Sequence, residues 1–308
     1  MSEAVVTAIV VTHQSASQLG ACMEALEAAA SGLPLERIVI DNASGDGTAE
    51  LVAAQWPDVR LLRRSENLGF ARAVNEAARE ASAPLLLLLN PDARMRPGSL
   101  RVLVDALRAH PAAGLAGPRL LRPGGAPQPT AWRDLGAAAV IFEALMLDVP
   151  FGGNPFHVLP DISEGPSRPV PCLSGASLLV RRSAFEALGG FDERFFLYHE
   201  DFDLCRRARS AGHVVRLVPE AVVEHEVGGS AFRDRRSFLV WFHTSRRALL
   251  LKQHLGRRGR VIAAIHRAGI ALRAGACRVR ETVTREEPWR EKARDWHHAA
   301  QVLSRKGP

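Results

Sequence analysis

Residues 85–93 read LLLLLNPDA: five leucines, then an asparagine, a proline, an aspartate and an alanine. Consecutive apolar residues bounded by a turn signal predict a strand buried on both faces, as in parallel sheets covered by helices. Proline cannot donate a hydrogen bond to a neighbouring strand, so the strand should end at Asn90 and Asp92 should leave the sheet. The sequence therefore predicts a central strand over 84–89 with a carboxylate just beyond its carboxyl end.

The segments on either side of these leucines alternate between strand and helix patterns. Short apolar runs predict further strands over residues 5–12, 37–41, 59–62 and 113–117. Helical periodicity between the runs predicts helices over residues 16–30, 48–55, 70–81 and 97–110. This alternation is typical of an α/β fold, in which a mostly parallel central sheet is flanked by helices. Ligands of such sheets bind beyond the carboxyl ends of the strands, so the residues after each run are the candidates for a site.

Beyond residue 117 the pattern becomes less regular. Prolines and glycines are frequent over 118–170, which predicts a loop-rich insertion with one short apolar helix near 135–147. CLSGASLLV then predicts a buried strand, EDFDLCRRARSAG a helix, and HVVRLVP and AVVEHE two more strands. From about residue 237 the periodicity is helical and rich in arginine, which predicts a separate basic α-helical region.

Composition and charge limit the class of protein. The 308 residues are 47% hydrophobic and 24% charged, which is ordinary globular usage. The longest strongly apolar run, residues 85–89, is too short to span a membrane, and Glu3 followed directly by a strand pattern predicts no signal peptide. The four cysteines form no C-x-x-C pair, which argues against a zinc knuckle or a disulfide framework.

The net charge of +7 is concentrated at the C-terminal end. Residues 231–308 contain 19 Lys and Arg against 6 Asp and Glu, a net +13, whereas residues 1–230 carry a net −6. A basic end on a mildly acidic body favours an anionic partner, namely a phospholipid surface, a lipid-linked pyrophosphate or a nucleic acid. A solvated helical face is the alternative.

Two of the candidate site residues follow the first two strands. Thr12 ends the first strand and Asp41 ends the second, where a carboxylate can accept hydrogen bonds from a nucleoside. The glycines at 45 and 47 form half of a dinucleotide-binding fingerprint, but Glu50 stands where the third glycine would be. A turn that caps the next helix through Asp46 or Thr48 explains the same residues.

Three further candidates surround the next helix start, and one follows the leucine strand. Asn67 and Gly69 precede a helix whose first turns present Arg72, an arrangement that favours a diphosphate. Ordinary helix capping is the alternative. Asp92 could bind a hard divalent cation, which prefers oxygen ligands, although a structural aspartate in a turn is the more common case.

Acidic residues cluster again in FDERFFLYHEDFDLC, residues 191–205. Glu200 and Asp201 lie behind an aromatic stretch at a helix start, where a partly dry pocket would raise the basicity of a general base. Stabilisation by the helix dipole is the alternative explanation. His225 follows the last strand before Gly228 and Gly229, which suits a metal or phosphate ligand, although a lone histidine is more often simply a hydrogen-bonded polar residue.

Taken in order, these motifs resemble an inverting glycosyltransferase of family two, with the GT-A nucleotide-diphospho-sugar transferase fold. The resemblance covers residues 4–230 and is greatest to bacterial rhamnosyltransferase-like and galactofuranosyltransferase-like members. It rests on VVTHQSASQL, IVIDNASGDGT, ENLGFARAVN, LLLLNPDA, HEVGGS and the long block GASLLVRRSAFEALGGFDERFFLYHEDFDLCRRARSAG. It implies a catalytic domain over 1–236, with a donor-binding half (1–117), the insertion (118–170) and an acceptor and catalytic half (171–236), followed by the basic helical region over 237–308.

The resemblance also implies a role for each candidate residue. Asp92 matches the last aspartate of a D-x-D metal-binding element, although Asn90 replaces the first one, and His225 resembles a further metal ligand used by some members. Asp201 matches the catalytic base, with Glu200 as its neighbour, and Arg207 matches an arginine that often follows. The residues expected to bind the donor are Thr12, Asp41, Asn67, Gly69, Arg72 and Asp92.

The expected activity is transfer of a sugar from a nucleotide diphosphate to a lipid-linked or polysaccharide acceptor in cell-envelope synthesis, assisted by Mg²⁺ or Mn²⁺. L-Rhamnose from dTDP-rhamnose is the favoured donor, and a UDP- or GDP-sugar is the alternative. A nicotinamide-dependent oxidoreductase is disfavoured because VVTHQSAS contains no glycine. A nucleic-acid-binding protein would need a reading helix or an aromatic platform beside the arginines. A cytoplasmic enzyme is expected, whose basic C-terminal helices either lie in the interface at the inner face of the cell membrane or pack on the catalytic domain.

Overall fold

The computed structural model describes residues 3–151, 153–159, 164–226 and 234–305. In these ranges the strands are β1 (Val6–Thr12), β2 (Leu35–Asn42), β3 (Arg60–Arg64), β4 (Leu85–Leu89), β5 (Ala93–Met95), β6 (Ala113–Leu121), β7 (Ala131–Trp132), β8 (Arg168–Pro169), β9 (Cys172–Leu173), β10 (Ser177–Arg181) and β11 (Val214–His225). The helices are α1 (Ala16–Ala30), α2 (Thr48–Gln55), α3 (Phe70–Arg79), α4 (Ser99–Ala109), α5 (Ala137–Ala144), α6 (Arg182–Ala187), α7 (Glu200–Ser210), α8 (Arg235–Gln253), α9 (Gly256–Thr284) and α10 (Glu287–Arg305).

A mixed sheet of nine strands forms in the described part of the chain. Its order is β3-β2-β1-β4-β10-β6-β11-β5, and β8 pairs with β11. Strands β3, β2, β1 and β4 are parallel to one another, and β6 is parallel to β11, whereas β10 runs antiparallel to both of its neighbours. Helices α1 and α4 pack on one face of the sheet and α3 packs against β1 and β2. The predicted α/β fold, a central sheet flanked by helices with further helices at the C-terminus, is confirmed.

The five leucines of β4 form the centre of the sheet. All of them are buried, because β4 lies between β1 and β10 and helices cover the sheet. Leu85, Leu87 and Leu89 join the core formed with α1 and α4, and Leu86 and Leu88 point to the opposite face, as the alternation of a strand requires. Burial of each leucine stabilises the fold by about 1.5–3 kcal/mol.

The register of the strands aligns three of the polar strand ends. Thr12 pairs with Asp41, and Val10 pairs with Leu89, so that Thr12 lies level with Pro91. Neighbouring strands are separated by about 4.8 Å, so Asp41 and Asp92 lie at the same edge of the sheet, on either side of Thr12 and about two strand spacings apart. The parallel arrangement therefore gathers residues that are 51 positions apart in the sequence.

Three predicted strands differ in the structure. CLSGASLLV forms two short strands, β9 and β10, because the chain bends at 174–176. HVVRLVP and AVVEHE form the single strand β11, whose register to β6 shifts between Val218 and Val222, so Pro219 lies in an irregular stretch. Strand β5 was not predicted, since three residues carry too little periodicity to be recognised. The predicted glycine turn at 228–229 lies outside the described residues.

The chain divides into two compact units that are interleaved in sequence. Unit 1 comprises Met1–Trp132, Asp161–Phe196 and Glu200–Ser230, and it contains the nine-stranded sheet. Unit 2 comprises Arg133–Pro160, Leu197–His199 and Ala231–Pro308, and it contains α5 and the helices α8, α9 and α10. A domain boundary at residue 236 stays a prediction. Within the described ranges, every helix is too short or too polar to cross a lipid bilayer.

Candidate functional site

Thr12 and Asp41 are in direct contact at the ends of β1 and β2. The Thr12 hydroxyl donates to Asp41 Oδ1 at 3.1 Å, and the backbone N–H of Ser44 donates to Asp41 Oδ2 at 3.2 Å. Both side chains are buried. The carboxylate is thus held rigidly where the second strand ends, with its orientation fixed by two donors.

The loop after Asp41 forms a turn at a helix start, which was the alternative to a dinucleotide-binding fingerprint. Asp46 accepts hydrogen bonds from the backbone N–H of Thr48 at 3.2 Å and from that of Ala16 at 3.0 Å. Asp46 therefore ties together the starts of α1 and α2. The incomplete glycine fingerprint forms a capping turn.

Asn67 and Gly69 are held by Asn42, a polar residue at the end of the second strand to which the sequence analysis assigned no role. Asn42 Nδ2 donates to Asn67 Oδ1 at 2.9 Å and to the carbonyl of Gly69 at 3.1 Å, and Asn42 Oδ1 accepts from the backbone N–H of Leu68 at 2.9 Å. The amide of Asn42 thus fixes the turn that begins α3. Its place directly after Asp41, at the end of a strand, was the available signal.

Gly69 is required by its surroundings. Its φ is +78°, and an added Cβ would lie 2.4 Å from the carbonyl oxygen of Phe196, which also accepts the backbone N–H of Phe70 at 2.7 Å. The loop that precedes α7 is therefore pressed against the backbone of this turn, and only glycine fits between them.

Gly69→Ala is expected to lower the free energy of unfolding by about 2–3 kcal/mol, because positive φ and overpacking both oppose the new methyl group. The matched control is Gly47→Ala, since Gly47 has a φ of +84° but nothing within 4 Å of the added Cβ. That variant should lose only about 1 kcal/mol. Chemical denaturation of both variants measures the difference, and equal losses would contradict the close approach at Phe196.

Arg72 and Asn75 have different environments on α3. Arg72 is exposed on the surface, with its Nε 3.4 Å from Glu76. Asn75 is buried; its Oδ1 accepts the backbone N–H of Phe191 at 2.8 Å and its Nδ2 donates to the carbonyl of Phe191 at 2.9 Å. Asn75 is therefore a structural residue that fixes the turn before α7, and Arg72 is the side chain of this helix that is available to a ligand.

Asp92 and His225 are brought together by β5. Ala93 pairs with His225 across β5 and β11, and Asp92 Oδ1 lies 3.3 Å from His225 Nε2. Asn90 Nδ2 lies 3.3 Å from the same ring nitrogen. In the part of the chain that the structure describes, no three His, Cys, Asp or Glu side chains form a group that could hold a metal ion. An oxygen and a nitrogen ligand for a divalent cation are thus adjacent, and substrate oxygens would have to complete the coordination.

Gln128 contacts the opposite nitrogen of the same imidazole ring. Its Nε2 lies 2.9 Å from His225 Nδ1. In this orientation the amide nitrogen donates to Nδ1. Half a turn of the amide would bring Oε1 to the same place, where it would accept the proton of Nδ1 and leave the lone pair of Nε2 for a cation. Gln128 was not recognised in the sequence because it lies in the proline-rich insertion, 97 residues from His225.

Asp201 lies in the first turn of α7, where two backbone N–H groups bind its carboxylate. Gly175 N–H donates to Oδ2 at 2.8 Å, and Phe202 N–H donates to Oδ1 at 2.8 Å. Desolvation raises the pKa of Asp201 to about 6, although these two hydrogen bonds act in the opposite direction. A carboxyl with this pKa is ionised at neutral pH and more basic than an ordinary aspartate.

Glu200 is the buried neighbour of Asp201. Burial and the charge of Asp201 hold the pKa of Glu200 well above its usual range, and its Oε2 has no hydrogen-bond partner among the described residues. Tyr198 and His199, immediately before Glu200, have backbone φ values of 70° and 68°, which residues other than glycine rarely adopt. The chain is therefore strained where it enters α7, as is common next to functional residues.

One short segment joins the carboxylate of Asp201 to the end of β4. Gly175 donates to Asp201, and the carbonyl of the next residue, Ala176, accepts the backbone N–H of Asn90 at 3.0 Å. Asp201 and the Asn90–Asp92 turn therefore flank the same bend between β9 and β10. Arg207 anchors α7 from its other side, with Nε 2.6 Å from Asp203 and N–H bonds to the carbonyls of Leu188 and Gly190.

The parallel order β3-β2-β1-β4, continued through the antiparallel strand β10 into β6 and β11, is the architecture of the GT-A glycosyltransferases. A mannosyltransferase from Pyrobaculum calidifontis, solved with GDP-mannose and Mn²⁺, has the same fold: the TM-score is 0.54 at 20% identity, over 98% of this chain and 87% of that one. The Staphylococcus aureus protein TarS, solved with UDP-GlcNAc, gives a TM-score of 0.54 at 14% identity, over 97% of this chain and 80% of that one.

This chain belongs to glycosyl transferase family 2, whose sequence profile matches residues 7–189. It is accordingly a glycosyltransferase, and the resemblance inferred from its motifs is confirmed. It is 38% identical to N-acetylglucosaminyl-diphospho-decaprenol L-rhamnosyltransferase of Mycobacterium tuberculosis in an alignment 236 positions long, which covers 72% of this chain and 76% of that protein.

Proposed function

We propose that this glycosyltransferase moves L-rhamnose from dTDP-rhamnose to a lipid-linked acceptor in cell-envelope glycan synthesis, with inversion at the anomeric carbon. The observation that carries the donor and acceptor is the 38% identity to a rhamnosyltransferase whose named acceptor is a diphospho-decaprenol. A UDP- or GDP-sugar donor is the alternative, because solved proteins of this fold were bound to GDP-mannose and to UDP-GlcNAc.

The donor nucleotide would bind along the carboxyl edge of β2, β1 and β4. Asp41, held by Thr12, would accept hydrogen bonds from the nucleoside. The turn at Asn67 and Gly69 would set the position at which α3 begins, and Arg72 in the first turn of that helix would contact the diphosphate. The support for these roles is that Asp41 and the turn are rigid and adjacent, because Asn42 bonds to both Asn67 and Gly69.

Asp92 and His225 are the residues that would hold a divalent cation, Mg²⁺ or Mn²⁺. The chemistry of the pair suits a divalent cation. The carboxylate oxygen of Asp92 lies 3.3 Å from Nε2 of His225, and a hydrogen bond holds the other ring nitrogen, Nδ1. Asn90 occupies the position of a lost carboxylate, so the protein supplies few ligands and a nucleotide diphosphate would supply the others. A bound cation would neutralise the charge that develops on the leaving diphosphate.

Asp201 would act as the general base. Its carboxylate is ionised at neutral pH, and Gly175 and Phe202 hold it in one orientation, so it can remove the proton of the acceptor hydroxyl as that oxygen attacks the anomeric carbon. Attack from the face opposite the leaving diphosphate inverts the anomeric configuration. Burial and the charge of Asp201 raise the pKa of Glu200, so Asp201 would be the member of the pair that ionises more readily.

Gln128→Leu is expected to weaken Mn²⁺ binding about ten-fold, because Nδ1 of His225 loses the hydrogen-bond partner that orients the ring. Gln128→Glu is the matched control; its carboxylate accepts the same proton and should retain binding. Mn²⁺ titration followed by electron paramagnetic resonance, with dTDP present, measures both affinities. Unchanged binding by the leucine variant would mean that His225 is positioned without Gln128.

The thermal midpoint of the protein tests the donor site directly. It should be measured with dTDP, UDP, GDP and CDP, each with and without Mn²⁺. A ligand at 100 times its Kd stabilises the native state by about 2.7 kcal/mol, so the preferred nucleotide should raise the midpoint by several degrees. A rise with dTDP that needs Mn²⁺ is expected. A rise with UDP or GDP instead would favour the alternative donors, and no rise with any nucleotide would contradict the proposal.

We also propose that the enzyme works at the inner face of the cell membrane as a peripheral protein. The support is the net +13 of residues 231–308 together with the lipid-linked acceptor named for the relative. The cytoplasm is the compartment expected for a nucleotide-sugar donor, and nothing in the described residues is long and apolar enough to span the bilayer.

A further inference from the structure

Helix α9 exposes a continuous apolar row in unit 2. The row consists of residues spaced three or four apart, which share one side of a helix: Val261, Ile265, Ala268, Leu272, Ala276, Val279 and Val283. Val279 and Val283 are 65% and 77% exposed, and Val261 and Leu272 are about half exposed. At 1.5 Å per residue the row is about 33 Å long. Soluble proteins rarely expose contiguous apolar surface of this length, and where they do it commonly marks an interaction site.

A second exposed apolar group lies beside this row. The segment that follows α5 presents Leu145, Val149 and Phe151, which are 59–71% exposed; we call these three residues the α5 tip. Helix α5 packs closely against α9, since a Cβ added to Gly269 would lie 2.5 Å from the Cα of Ala144.

The contacts between α5 and α9 place the α5 tip next to the apolar row. Gly269 lies about 60° around the helix from Leu272 of the apolar row, so α5 flanks the row. Arg273 of α9 donates to the carbonyl of Glu143 at 2.8 Å and forms an ion pair with Asp148, which fixes the α5 tip. The row and the tip therefore border the same side of unit 2.

The charge around the row selects its partner. Helix α9 carries seven arginines and one acidic residue, Glu281, which is half-buried and paired with Arg290 at 3.3 Å. Six arginines of α9 have exposed side chains; Arg257, Arg258 and Arg280 lie next to the row, and Arg260, Arg267 and Arg278 lie further round the helix. A second copy of α9 would set arginine against arginine, whereas anionic headgroups would pair with the arginines while acyl chains accept the valines and leucines.

We propose that the apolar row of α9 and the α5 tip form a docking surface for an anionic lipid bilayer, with α9 lying in the plane of the interface. This surface gives a structural basis for the peripheral location proposed above, and the inference rests on that location, not on the donor or the reaction. Valine, leucine and phenylalanine side chains would enter the headgroup region, and the flanking arginines would remain at the level of the phosphates.

The test is flotation of the full-length protein with vesicles of phosphatidylcholine alone or mixed with phosphatidylglycerol. The unaltered protein should float with the anionic vesicles. Val279→Asp combined with Val283→Asp should lower the bound fraction at least ten-fold, because two carboxylates enter the interface. The matched control is Ala53→Asp combined with Ala54→Asp, which adds the same charge at exposed positions of α2, on neither the row nor the tip, and should lose at most three-fold.

Three other results would contradict the proposal that this surface binds a lipid bilayer. Equal loss in the two double variants would mean that net charge, not the row, governs binding. No flotation of the unaltered protein with anionic vesicles would reject a bilayer, and a dimer in solution that Val279→Asp and Val283→Asp dissociate would assign the row to a second copy. Nucleotide-dependent thermal shifts, measured on the same samples, separate these results from a failure of the proposed transferase function.

Discussion

Asp201→Asn is expected to lower the rate of sugar transfer by about 10²–10⁴-fold, the usual contribution of a positioned general base. The amide is nearly the size of the carboxylate but cannot accept a proton at neutral pH. Asn can keep one of the two hydrogen bonds from Gly175 and Phe202, so the cost in stability should be about 1 kcal/mol. Transfer should therefore collapse while the folded protein and its nucleotide-dependent thermal shift remain.

Glu200→Gln is the control for this variant. Burial and the charge of Asp201 raise the pKa of Glu200, which favours its neutral form, so an uncharged amide at this position should leave transfer within a few-fold of the unaltered enzyme. The transfer rate of the unaltered enzyme should also fall as the pH drops through about 6, because the base is then protonated. Substantial transfer by Asp201→Asn, or a larger loss in Glu200→Gln, would assign the base elsewhere.

Unit 2 is expected to lose stability steeply below about pH 6.5, because it buries four histidines around one arginine. They are His157, His199, His243 and His266, and all are buried. Arg246 is buried among them and pairs with Glu143 at 2.5 Å. Burial and the charge of Arg246 lower the pKa of His157 to about 4 and that of His243 to about 3, and hold those of His199 and His266 well below the usual range.

Acid destabilises unit 2 because the pKa values of these histidines are lowered in the folded state. A histidine whose pKa is lower in the folded state binds its proton more readily when the chain unfolds, so acid favours the unfolded state. The loss begins near the ordinary pKa of 6.5 and continues down to about pH 4 for His157 and about pH 3 for His243. Each histidine contributes about 1.4 kcal/mol per pH unit in that window. Four together would remove several kcal/mol by pH 5, a large part of an ordinary stability of 5–15 kcal/mol.

Denaturant unfolding at several pH values between 7.5 and 5 measures this loss, with tryptophan fluorescence as the signal, since Trp241, Trp289 and Trp296 belong to unit 2. His243→Leu should reduce the slope of the unfolding free energy against pH by about one proton. His298→Leu, at an exposed position on α10, should leave the slope unchanged. A slope that is equally steep in His243→Leu would show that the acid sensitivity arises from other groups.

The helices of unit 1 were largely predictable from the sequence because periodicity and local signals agree there. Helices α1 and α2 match their predicted bounds, and α3 ends two residues early. The predictions were wrong where long-range pairing decides the structure. Residues 214–225 form one strand because β6 runs beside their whole length, despite Pro219, and β5 forms only because β11 lies next to it. Neither partner is visible in the local sequence.

The residues of the candidate site divide in the same way, into those with a local sequence signal and those placed only by long-range contacts. Asp41, Asp92 and Asp201 were recognisable because each follows a strand or starts a helix within a strong motif. Asn42 and Gln128 were not recognised, since their contacts reach across 25 and 97 residues to side chains that a local pattern does not connect. Histidines 157, 199, 243 and 266 likewise carry no local motif, and only the packing of unit 2 gathers them around Arg246.

The sequence by itself determined the α/β class, the glycosyltransferase family, the strand ends that carry polar groups and the basic character of the C-terminal region, because hydrophobic period, turn residues and charge are local properties. The tertiary structure decided which residues meet. It placed Asp92 against His225 through β5, bound Asp201 to the bend at Gly175, and set the α5 tip beside the apolar row of α9. These contacts depend on strand register and helix packing, whose free energy comes from partners distant in sequence.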